Sequence, residues 1–467
     1  MQQAAEQTGQ IGGRIKRLRR AKAVSQAALA DALGISASYL NLIEHNRRRV
    51  TVPLLFKAAS YFGVEPGELA ESEEPRLAGD LMELFGDDVF AECDVTNQDI
   101  RDLATANPAV GRAVLRLYDR YRALAAGGPA PLAVAGDHPV ATDAVSDLLQ
   151  ANANHFAVLE AAAERIRADI DAASDSFEHG LKTYLHNVFG LHWRPVALPP
   201  GMTRRVDAGR GEILTADTLT AETAAFTVAQ HLGRLGAGET VERLIGEAGL
   251  PEEAEPVARN ALTAYFAAAL MMPYAPFLAA CRETRYDVER IARRFRASFE
   301  QVCHRMTTLQ RPGSNGVPLH LVRTDIAGNI SKRFSLSGIH IPRHSGACPR
   351  WNVYGAFLHP ERINVQISQM PDGSRYFCIA KAVTKGATRH NEPRRHLSIG
   401  LGCHVAYAGE LVYSDGVDVS NPELAVPIGV GCRICPQAGC AQRAHPPADH
   451  RMTFDESARS ENFFAGA

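Results

Sequence analysis

The sequence lacks an apolar run long enough to cross a membrane. Its longest candidate, AYFAAALMMPYAPFLAAC at 264–281, contains two prolines and is flanked by amphipathic sequence, whereas a spanning helix needs about 20 mostly apolar residues. The chain also lacks a basic and then apolar signal at its N-terminus. We therefore expect a cytoplasmic protein with no membrane partner. In that compartment its nine cysteines argue against a disulfide framework, and a tight group of them indicates metal or redox chemistry.

Acidic residues are scarce in one part of the chain, although the whole chain carries a net charge of −2. Between residues 14 and 57 there are ten Lys or Arg and only two acids, Asp31 and Glu44. Such a local excess is typical of a surface that binds phosphates.

At 467 residues the chain is too long for one core, and we expect two to four domains.

The segment SQAALADALGISASYLNLIEHNRR, residues 25–48, has the pattern of two short helices joined by a turn. Ser25 and Ser36 are suitable N-caps, and Gly34 suits the left-handed position that ends the first helix. The residues that we expect to pack inward are Ala28, Leu29, Leu33, Tyr39, Leu40 and Ile43. The segment closely resembles the helix-turn-helix of the Xre/Cro family, which implies DNA binding.

In that geometry the second helix enters the major groove. Asn and Gln side chains can bond an adenine edge with two hydrogen bonds, whereas arginines after the helix contact phosphates. The predicted DNA-binding residues are Gln26, Ser36, Ser38, Tyr39, Asn41, Arg47 and Arg48. The alternative is a helical hairpin with a solvated basic face, which the local charge disfavours.

The sequence predicts a multidomain chain. A helix-turn-helix bundle at 10–70 and a helical linker or dimerisation region at 71–170 make its N-terminal half mainly α. An α+β middle domain follows at 171–312, and an α+β C-terminal domain with the cysteine cluster occupies 313–467. Because DNA half-sites come in pairs, we expect a homodimer or a higher homo-oligomer; a linker that only provides spacing is the alternative.

The middle domain resembles the IrrE/ImmA-like metallopeptidases, most clearly at YFAAALMMP, residues 265–273. That family carries H-E-x-x-H, in which two histidines on one helix face hold zinc and the glutamate is the general base. Here Gln230 and Arg234 take the histidine positions and His231 takes the glutamate position; the other frame offers Leu232 and Leu235. We therefore expect a scaffold without metal or catalysis, rather than a peptidase that cleaves a repressor.

Segments farther along, among them RTDIAGNISKRFSLSG at 323–338 and CPRWNVYGAF at 348–357, resemble the short-chain fatty acyl coenzyme A regulators. This resemblance covers nearly the whole chain. It implies a transcription factor of propionate or acetate metabolism that senses an acyl-CoA. Phosphates of CoA need cationic donors, and an adenine needs an aromatic platform. The predicted ligand-binding residues are Arg323, Lys332, Arg333, Arg350 and Trp351, with Arg343 close by in sequence.

Cys432, Cys435 and Cys440 have the spacing C-x2-C-x4-C among glycines and prolines. Thiolates at such spacing suit a metal or an iron–sulfur cluster. The resemblance implies a [4Fe–4S] cluster, and we predict Cys403 as its fourth ligand; Cys348 and Cys378 are weaker candidates. His445 follows Cys440 at a spacing that zinc would accept, so a constitutive DNA-binding protein with a structural zinc site is the alternative.

Overall fold

The structure is a computed structural model. It describes residues 15–16, 18–19, 24–44, 48, 50–62, 74–90, 93, 95–125, 138–343, 347–386, 394–433, 435–437 and 439–446. The chain forms two compact units, Met1–Pro131 with Pro447–Arg451, and Leu132–Pro446 with Met452–Ala467. The helices that the sequence assigns to one linker at 71–170 are therefore divided between the two units.

The first unit begins with the helix-turn-helix, formed by α1 (Gln26–Leu33), α2 (Ala37–Glu44) and α3 (Val52–Phe62). The Ser25 hydroxyl accepts a hydrogen bond from the Ala28 amide at 3.1 Å, and the Ser36 hydroxyl accepts one from the Tyr39 amide at 3.1 Å. Gly34 ends α1 with φ of 70°, a conformation that only glycine adopts without strain. The predicted caps and the predicted turn are confirmed.

The core of this bundle follows the predicted pattern with one exception. Leu29, Leu33, Leu40 and Ile43 are buried, and Tyr39 is half-buried against them. Ala28 is exposed, so its predicted place in the core is wrong. The buried small residue of α1 is Ala30, the next position but one, because it lies beside Leu29 and Leu33 on the helix face that meets α2.

Three more helices complete the described part of the first unit: α4 (Glu74–Phe85), α5 (Asn97–Ala106) and α6 (Pro108–Ala125). They surround a small core of their own that contains Leu81, Ile100 and Ala104. A capping box starts α5, with the Thr96 and Asp99 side chains bonded to each other's backbone amides. On α6 the apolar side chains of Val110, Leu117 and Tyr121 are exposed.

The second unit begins with the helices α7 (His138–Ala151), α8 (Ala157–Ala173) and α9 (Phe177–Phe189) and the strands β1 (His192–Val196), β2 (Arg204–Asp207) and β3 (Glu212–Ala216). These strands form a sheet in the order β1-β3-β2. The helices α10 (Ala221–Gly236), α11 (Gly238–Ala248), α12 (Glu255–Met271), α13 (Tyr274–Glu283), α14 (Val288–Phe295) and α15 (Phe299–Thr307) follow.

A six-stranded sheet dominates the rest of the second unit. After the short hairpin of β4 (Gln310–Arg311) and β5 (Ser314–Asn315), its strands are β6 (Leu319–Asp325), β7 (Ile330–Ser335), β8 (Asn364–Gln369), β9 (Arg375–Lys385), β10 (Arg395–His404) and β11 (Ala425–Pro427). Their order is β11-β8-β9-β10-β6-β7. One face of this sheet shares a continuous core with the preceding helices, from Ala141 to Leu411. The other face is covered by the segment that contains the short helix α16 (Asn352–Gly355).

Helix α7 lies along β7, the edge strand of that sheet. Its residues Asp143, Asp147 and Gln150 share one helix face, because they are spaced by four and three positions. The Gln150 amide nitrogen donates to the Ser335 carbonyl at 2.6 Å, and its oxygen accepts from the Ser335 amide at 3.3 Å. This pair of bonds imitates the pairing of a neighbouring strand.

A buried ion pair joins the helices of the second unit. The Arg305 guanidinium donates to both carboxylate oxygens of Glu160, at 2.5 and 2.9 Å, and to the Met272 carbonyl at 2.9 Å. The Tyr265 hydroxyl donates to Glu160 at 2.6 Å. Burial alone would raise the pKa of Glu160, but the charge and hydrogen bonds of Arg305 outweigh that effect and hold it below its usual range.

None of the described helices is, taken singly, long and apolar enough to span a membrane. Glu252–Met271 and Tyr274–Glu283 pass that test only together, as a pair bent by 69°. Most residues of α12 from Leu262 onward are buried in the core. Packing in the core therefore accounts for the apolar character of this helix.

Candidate functional site

The predicted DNA-contacting residues lie on and beside α2. Ser36, Ser38 and Asn41 are exposed, and Ser38 and Asn41 share one helix face because they are three positions apart. Arg48 is exposed beyond the end of the helix. Arg47 lies outside the described residues. The arrangement presents short polar side chains at the start and middle of the helix, where a recognition helix contacts base edges.

Gln26 has a contact that the sequence did not predict. Its amide nitrogen donates to Glu44 at 2.9 Å, and Arg19 donates to the same carboxylate at 2.6 and 2.9 Å. Glu44 is only 3% exposed, and its hydrogen bond to Arg19 raises the pKa of the guanidinium. Gln26 therefore helps to hold α1 against α2. The sequence contained one sign of this network, because Glu44 is an acid at an inward position in a strongly basic domain.

The helices α10 and α12 cross at Gln230, one of the positions at which the resemblance to the metallopeptidases implies a zinc ligand. The Gln230 amide nitrogen donates to the Asn260 side chain at 2.9 Å and to its carbonyl at 3.2 Å. The Thr263 hydroxyl, which donates to the Arg259 carbonyl at 2.7 Å, adjoins this contact. A Cβ atom on Gly233 would lie 2.9 Å from the Phe266 ring. Hydrogen bonds and close packing therefore join these two helices.

His231 is half-buried at this crossing, between Arg204 and Arg234. Burial, and then the two positive charges, lower the pKa of His231 to about 4. Its imidazole is therefore neutral near pH 7, in surroundings that repel a metal cation. The second alignment of the motif places the buried Leu232 and the exposed Leu235 at the positions of the general base and the second histidine. Because leucine cannot bind a metal, neither alignment offers a set of zinc ligands.

The three clustered cysteines line one pocket together with a fourth thiol, that of Cys348. Cys348 reaches the loop from a distant part of the sequence, and its amide donates to the Val430 carbonyl at 3.1 Å. Burial raises the pKa of Cys348, and the nearby Cys432 and Cys435 raise it further. The structure thus brings Cys348, Cys432, Cys435 and Cys440 to one place.

Cys403, the predicted fourth ligand, is placed elsewhere. It lies on β10 opposite Phe377 and Leu319, fully buried in the core that the sheet shares with the helices. Burial and then the neighbouring Cys378 raise its pKa far above the usual range. Strand alternation turns its side chain into that core, so the geometry replaces Cys403 with Cys348 in the cysteine set.

Close contacts surround two of the four sulfur atoms, those of Cys432 and Cys435. The Ala444 amide donates to the Cys432 sulfur at 3.4 Å, and a Cβ atom on Gly429 would lie 2.9 Å from the Cys435 sulfur. Four cysteines are the usual donor set of a [4Fe–4S] cluster. Across the residues that the structure describes, no three His, Cys, Asp or Glu side chains converge closely enough to enclose an ion.

Arg443 organises the cysteine loop, a role that the sequence did not predict. Its buried guanidinium donates to the carbonyls of Cys432, Cys435 and Gln437, at 2.6, 2.7 and 2.8 Å. Burial raises the pKa of Cys435, and the positive charge of Arg443 offsets part of that increase. His445, the alternative zinc ligand, is exposed and does not line the pocket.

A second pocket lies beside the cysteine pocket. Trp351 is buried in its wall, and the indole N–H donates to the carbonyl of Gly429, a residue of the cysteine pocket, at 3.1 Å. Ile428 lines the second pocket, and Gly429, the next residue, lines the first. The two pockets therefore share a wall, and Trp351 lines the second pocket, where its role in ligand binding stays a prediction.

The structure distributes the predicted phosphate-binding cations over three places. Arg323 lies opposite Lys332 on neighbouring strands and donates to the buried Glu300 at 2.8 Å. Arg333 instead pairs with Asp143 of α7 at 2.6 Å, and Arg343 pairs with Asp147 at 3.2 Å. Arg350 lines the cysteine pocket. These cations do not form one pocket, because alternate residues of a strand point to opposite faces.

Comparison with known proteins divides the chain into three matched regions. The family model described as "Helix-turn-helix" matches residues 15–69, and the one described as "IrrE N-terminal-like domain" matches residues 188–307. The model described as "Short-chain fatty acyl coenzyme A regulator, C-terminal" matches residues 308–464. Together the three matches cover most of the chain in the order that the sequence motifs predict.

Similar proteins align along nearly the whole chain. The HTH-type transcriptional regulator PrpR of Mycobacterium tuberculosis is 36% identical over 96% of this chain and 94% of that protein. The HTH-type transcriptional regulator RamB of the same organism is 35% identical, and the Propionyl-CoA carboxylase regulator of Cereibacter sphaeroides is 37% identical, each over 96% of both chains.

A solved structure of a Mycobacterium tuberculosis transcriptional regulator is also similar. It has 38% sequence identity and a TM-score of 0.66, and the match covers 69% of this chain and 99% of that one. The similar proteins named above are transcriptional regulators rather than enzymes. The chain therefore belongs to the short-chain fatty acyl coenzyme A regulators, a family of DNA-binding helix-turn-helix transcriptional regulators.

Proposed function

We propose that this regulator controls short-chain acyl-CoA metabolism, binds an acyl-CoA in its second unit, and carries a [4Fe–4S] cluster on Cys348, Cys432, Cys435 and Cys440. The observation that carries the proposal is the pair of adjoining pockets, one lined by four thiols and one mainly apolar. The name of the Cereibacter sphaeroides relative supports propionyl-CoA metabolism as the controlled process.

The four cysteines would hold the cluster, and Arg443 would offset part of the negative charge of their thiolates. A cluster supplies redox sensitivity or rigidity when it is bound. Trp351 joins the cysteine pocket to the apolar pocket through its bond to the Gly429 carbonyl. A change at either pocket can alter DNA binding only if the ligand binds one conformation of the protein better than another.

The cluster is tested by anaerobic purification of three proteins: the natural chain, Cys348→Ala and Cys403→Ala. We expect iron, acid-labile sulfide and visible charge-transfer absorption in the natural chain and in Cys403→Ala, and their loss in Cys348→Ala. Loss of iron and sulfide in Cys403→Ala, but not in Cys348→Ala, would show that Cys403 is the fourth ligand. A colourless natural protein that contains one zinc ion would instead support the constitutive regulator with a structural metal.

The effector is tested by titrating propionyl-CoA into the full chain bound to its operator DNA. We expect propionyl-CoA to change operator affinity and free propionate to leave it unchanged, because three carbons bury little area at about 0.8 kcal/mol per methylene. An operator affinity that responds to neither compound would reject the acyl-CoA effector.

The recognition helix is tested by Asn41→Ala, which should weaken binding to the operator by about 1–3 kcal/mol if a paired base contact is lost. Arg48→Ala should weaken binding to all DNA sequences and reduce its dependence on salt concentration. Equal affinity of Asn41→Ala and the natural chain for the operator would remove Asn41 from the base-reading residues.

A homodimer is part of the proposal. On α6, Val110, Val114, Leu117 and Tyr121 are spaced by four, three and four positions, the spacing of a two-helix seam, and three of them are exposed. Sedimentation should give a dimer for the natural chain and a monomer for Leu117→Glu. A dimer that survives this substitution would place the interface elsewhere.

A further inference from the structure

Three basic side chains of the second unit lie around one buried carboxylate. Glu300 of α15 is buried, accepts a hydrogen bond from Arg323 of β6 at 2.8 Å, and forms an ion pair with Lys385 of β9. Lys332 lies on the edge strand β7, directly opposite Arg323. Three elements of the sheet therefore bring three positive charges to a single negative one. Such a local excess of positive charge attracts anions.

The amine of Lys332 pairs with no carboxylate among the residues that the structure describes. Its Nζ atom lies 3.5 Å from Nε2 of His304. Arg323 engages Oε1 of Glu300, and Lys385 engages Oε2. The His304 imidazole itself lies 3.6 Å from Oε1 of the same carboxylate. Burial lowers the pKa of His304 to about 4, so this ring is neutral near pH 7 and leaves the ammonium charge of Lys332 without compensation.

These surroundings favour the neutral amine of Lys332. Loss of hydration is the main cause that lowers the pKa of Lys332 to about 8; Glu300 opposes this change, and Arg323 and Lys385 add to it. An ordinary lysine has a pKa of about 10.4. A lysine that is desolvated or adjoins other cations is an activated nucleophile, because more of its amine is neutral. The side chain of Lys332 is also exposed, so a dissolved reagent can reach it.

We propose that Lys332 is a site of covalent acylation by short-chain acyl-CoA thioesters, and that Arg323 and Lys385 attract the phosphates of the CoA. The amine nitrogen attacks the thioester carbonyl carbon, a C–N bond forms, and the C–S bond breaks. One proton passes from the nitrogen to the departing sulfur, which leaves as free CoA. The lysine becomes a neutral amide, so the cluster loses one positive charge. This proposal rests on the proposed function only for the presence of an acyl-CoA, and it needs no reversible effector site.

The test incubates the full natural chain with propionyl-CoA and follows the acylation of each lysine by peptide mass spectrometry. Lys332 should be modified at least about tenfold faster than Lys182, because more of its amine is neutral near pH 7. Lys182 is the internal control, since it is also exposed but pairs with Glu178 at 2.7 Å. Equal rates at the two lysines would overturn the proposal.

The pH dependence of the same reaction is a second readout on the natural chain. The rate at Lys332 should level off above about pH 8, where its amine has lost its proton, whereas the rate at an ordinary lysine rises until about pH 10. A Lys332 rate that also rises until about pH 10 would contradict the activation of this amine by its neighbours.

The role of the neighbouring cations is tested with a reagent and a variant. S-propionyl-N-acetylcysteamine carries the same thioester without phosphates and should modify Lys332 at least about threefold more slowly than propionyl-CoA. Lys385→Gln should slow the reaction of Lys332 with propionyl-CoA by a similar factor, because it removes a cation and frees Oε2 of Glu300 to pair with Lys332. The matched control on the same strand is Lys381→Gln, whose amine pairs instead with Glu289 at 2.6 Å, and it should react like the natural chain. Equal Lys332 rates in both variants would overturn the role of Lys385.

The two functions fail in different ways. If propionyl-CoA leaves operator affinity unchanged on mixing but modifies Lys332 during incubation, the reversible effector fails and the acylation stands. If operator affinity changes on mixing and Lys332 remains unmodified, the effector stands and the acylation fails.

Discussion

The crossing of α10 and α12 and the cysteine loop are two possible metal sites with opposite construction. At the crossing, Gln230 bonds to Asn260 and Gly233 packs on Phe266, so amides and hydrocarbon fill the volume. In the loop, four thiols line one pocket, and Arg443 donates to the backbone carbonyls beside it. Side chains of the two helices fill the first site, whereas four sulfur donors line the second.

If polar contacts between helices stabilise the second unit, the largest effect should come from the buried ion pair of Arg305 and Glu160. Arg305→Met leaves Glu160 buried without its partner and should reduce the free energy of unfolding by about 3–5 kcal/mol, as measured by denaturant unfolding. In the natural chain the pKa of Glu160 lies below its usual value. The pair therefore contributes stability above about pH 4.3 and loses it as the pH falls.

The pH dependence provides the check on this prediction. Without Arg305, burial raises the pKa of Glu160, so the variant should lose less stability than the natural chain as the medium becomes acidic. The difference in Tm between the two proteins should narrow below about pH 4.3. A difference that does not change with pH would mean that the lost packing of Arg305, rather than its charge, causes the destabilisation.

The next effect should be found in the cysteine loop. Arg443→Met removes the donor to three carbonyls, and hydrogen bonds from a charged donor contribute about 1.5–3 kcal/mol each. We expect the loop to become sensitive to protease and the iron content of the purified protein to fall, with the helix-turn-helix unaffected. Arg362→Met, at an exposed arginine, serves as the control; full iron content in Arg443→Met would show that the loop holds its shape without the guanidinium.

A smaller effect should follow from Gln230→Ala at the crossing. The variant loses the bond to Asn260, which contributes about 1 kcal/mol, and thermal unfolding should detect it. If the Gln230 contact replaces a metal bridge, Gln230→Ala should retain operator binding. A loss of operator binding without a loss of stability would give this crossing a regulatory role instead.

The smallest effect, none at all, is expected when zinc is added to the cluster-free Cys348→Ala variant. His231 is neutral between two arginines, and no second ligand adjoins it within the described α10 helix. The Tm of this variant should be the same with and without zinc, and no peptidase activity should appear. Stabilisation by zinc that His231→Ala abolishes would contradict this comparison.

The local elements of the DNA-binding domain could be predicted from the sequence, because each depends on a few adjacent residues. Ser25, Gly34 and Ser36 form their hydrogen bonds within four positions of themselves. The role of Gln26 could not be predicted in the same way. It depends on Arg19 and Glu44, which approach it only after the helices pack.

The fourth cysteine shows the same limit over a longer distance. Cys403 is nearer to the cluster in sequence, but it lies in a strand whose alternation buries it in the core. Cys348 is followed by a proline, as is Cys435, and this shared Cys–Pro pair was a signal in the sequence that the two cysteines line one pocket. The split of the cations among three surroundings could not be predicted, because it follows from strand register.

The contact of α7 with β7 has a consequence for how copies of this chain meet. An edge strand with free amides and carbonyls can recruit the strand of another molecule and start aggregation. Gln150 occupies the Ser335 amide and carbonyl, and Asp143 and Asp147 hold Arg333 and Arg343 beside them. This face of the helix thus protects one end of the sheet against edge-to-edge association, and a homodimer of the kind proposed above could form without polymerisation through this edge.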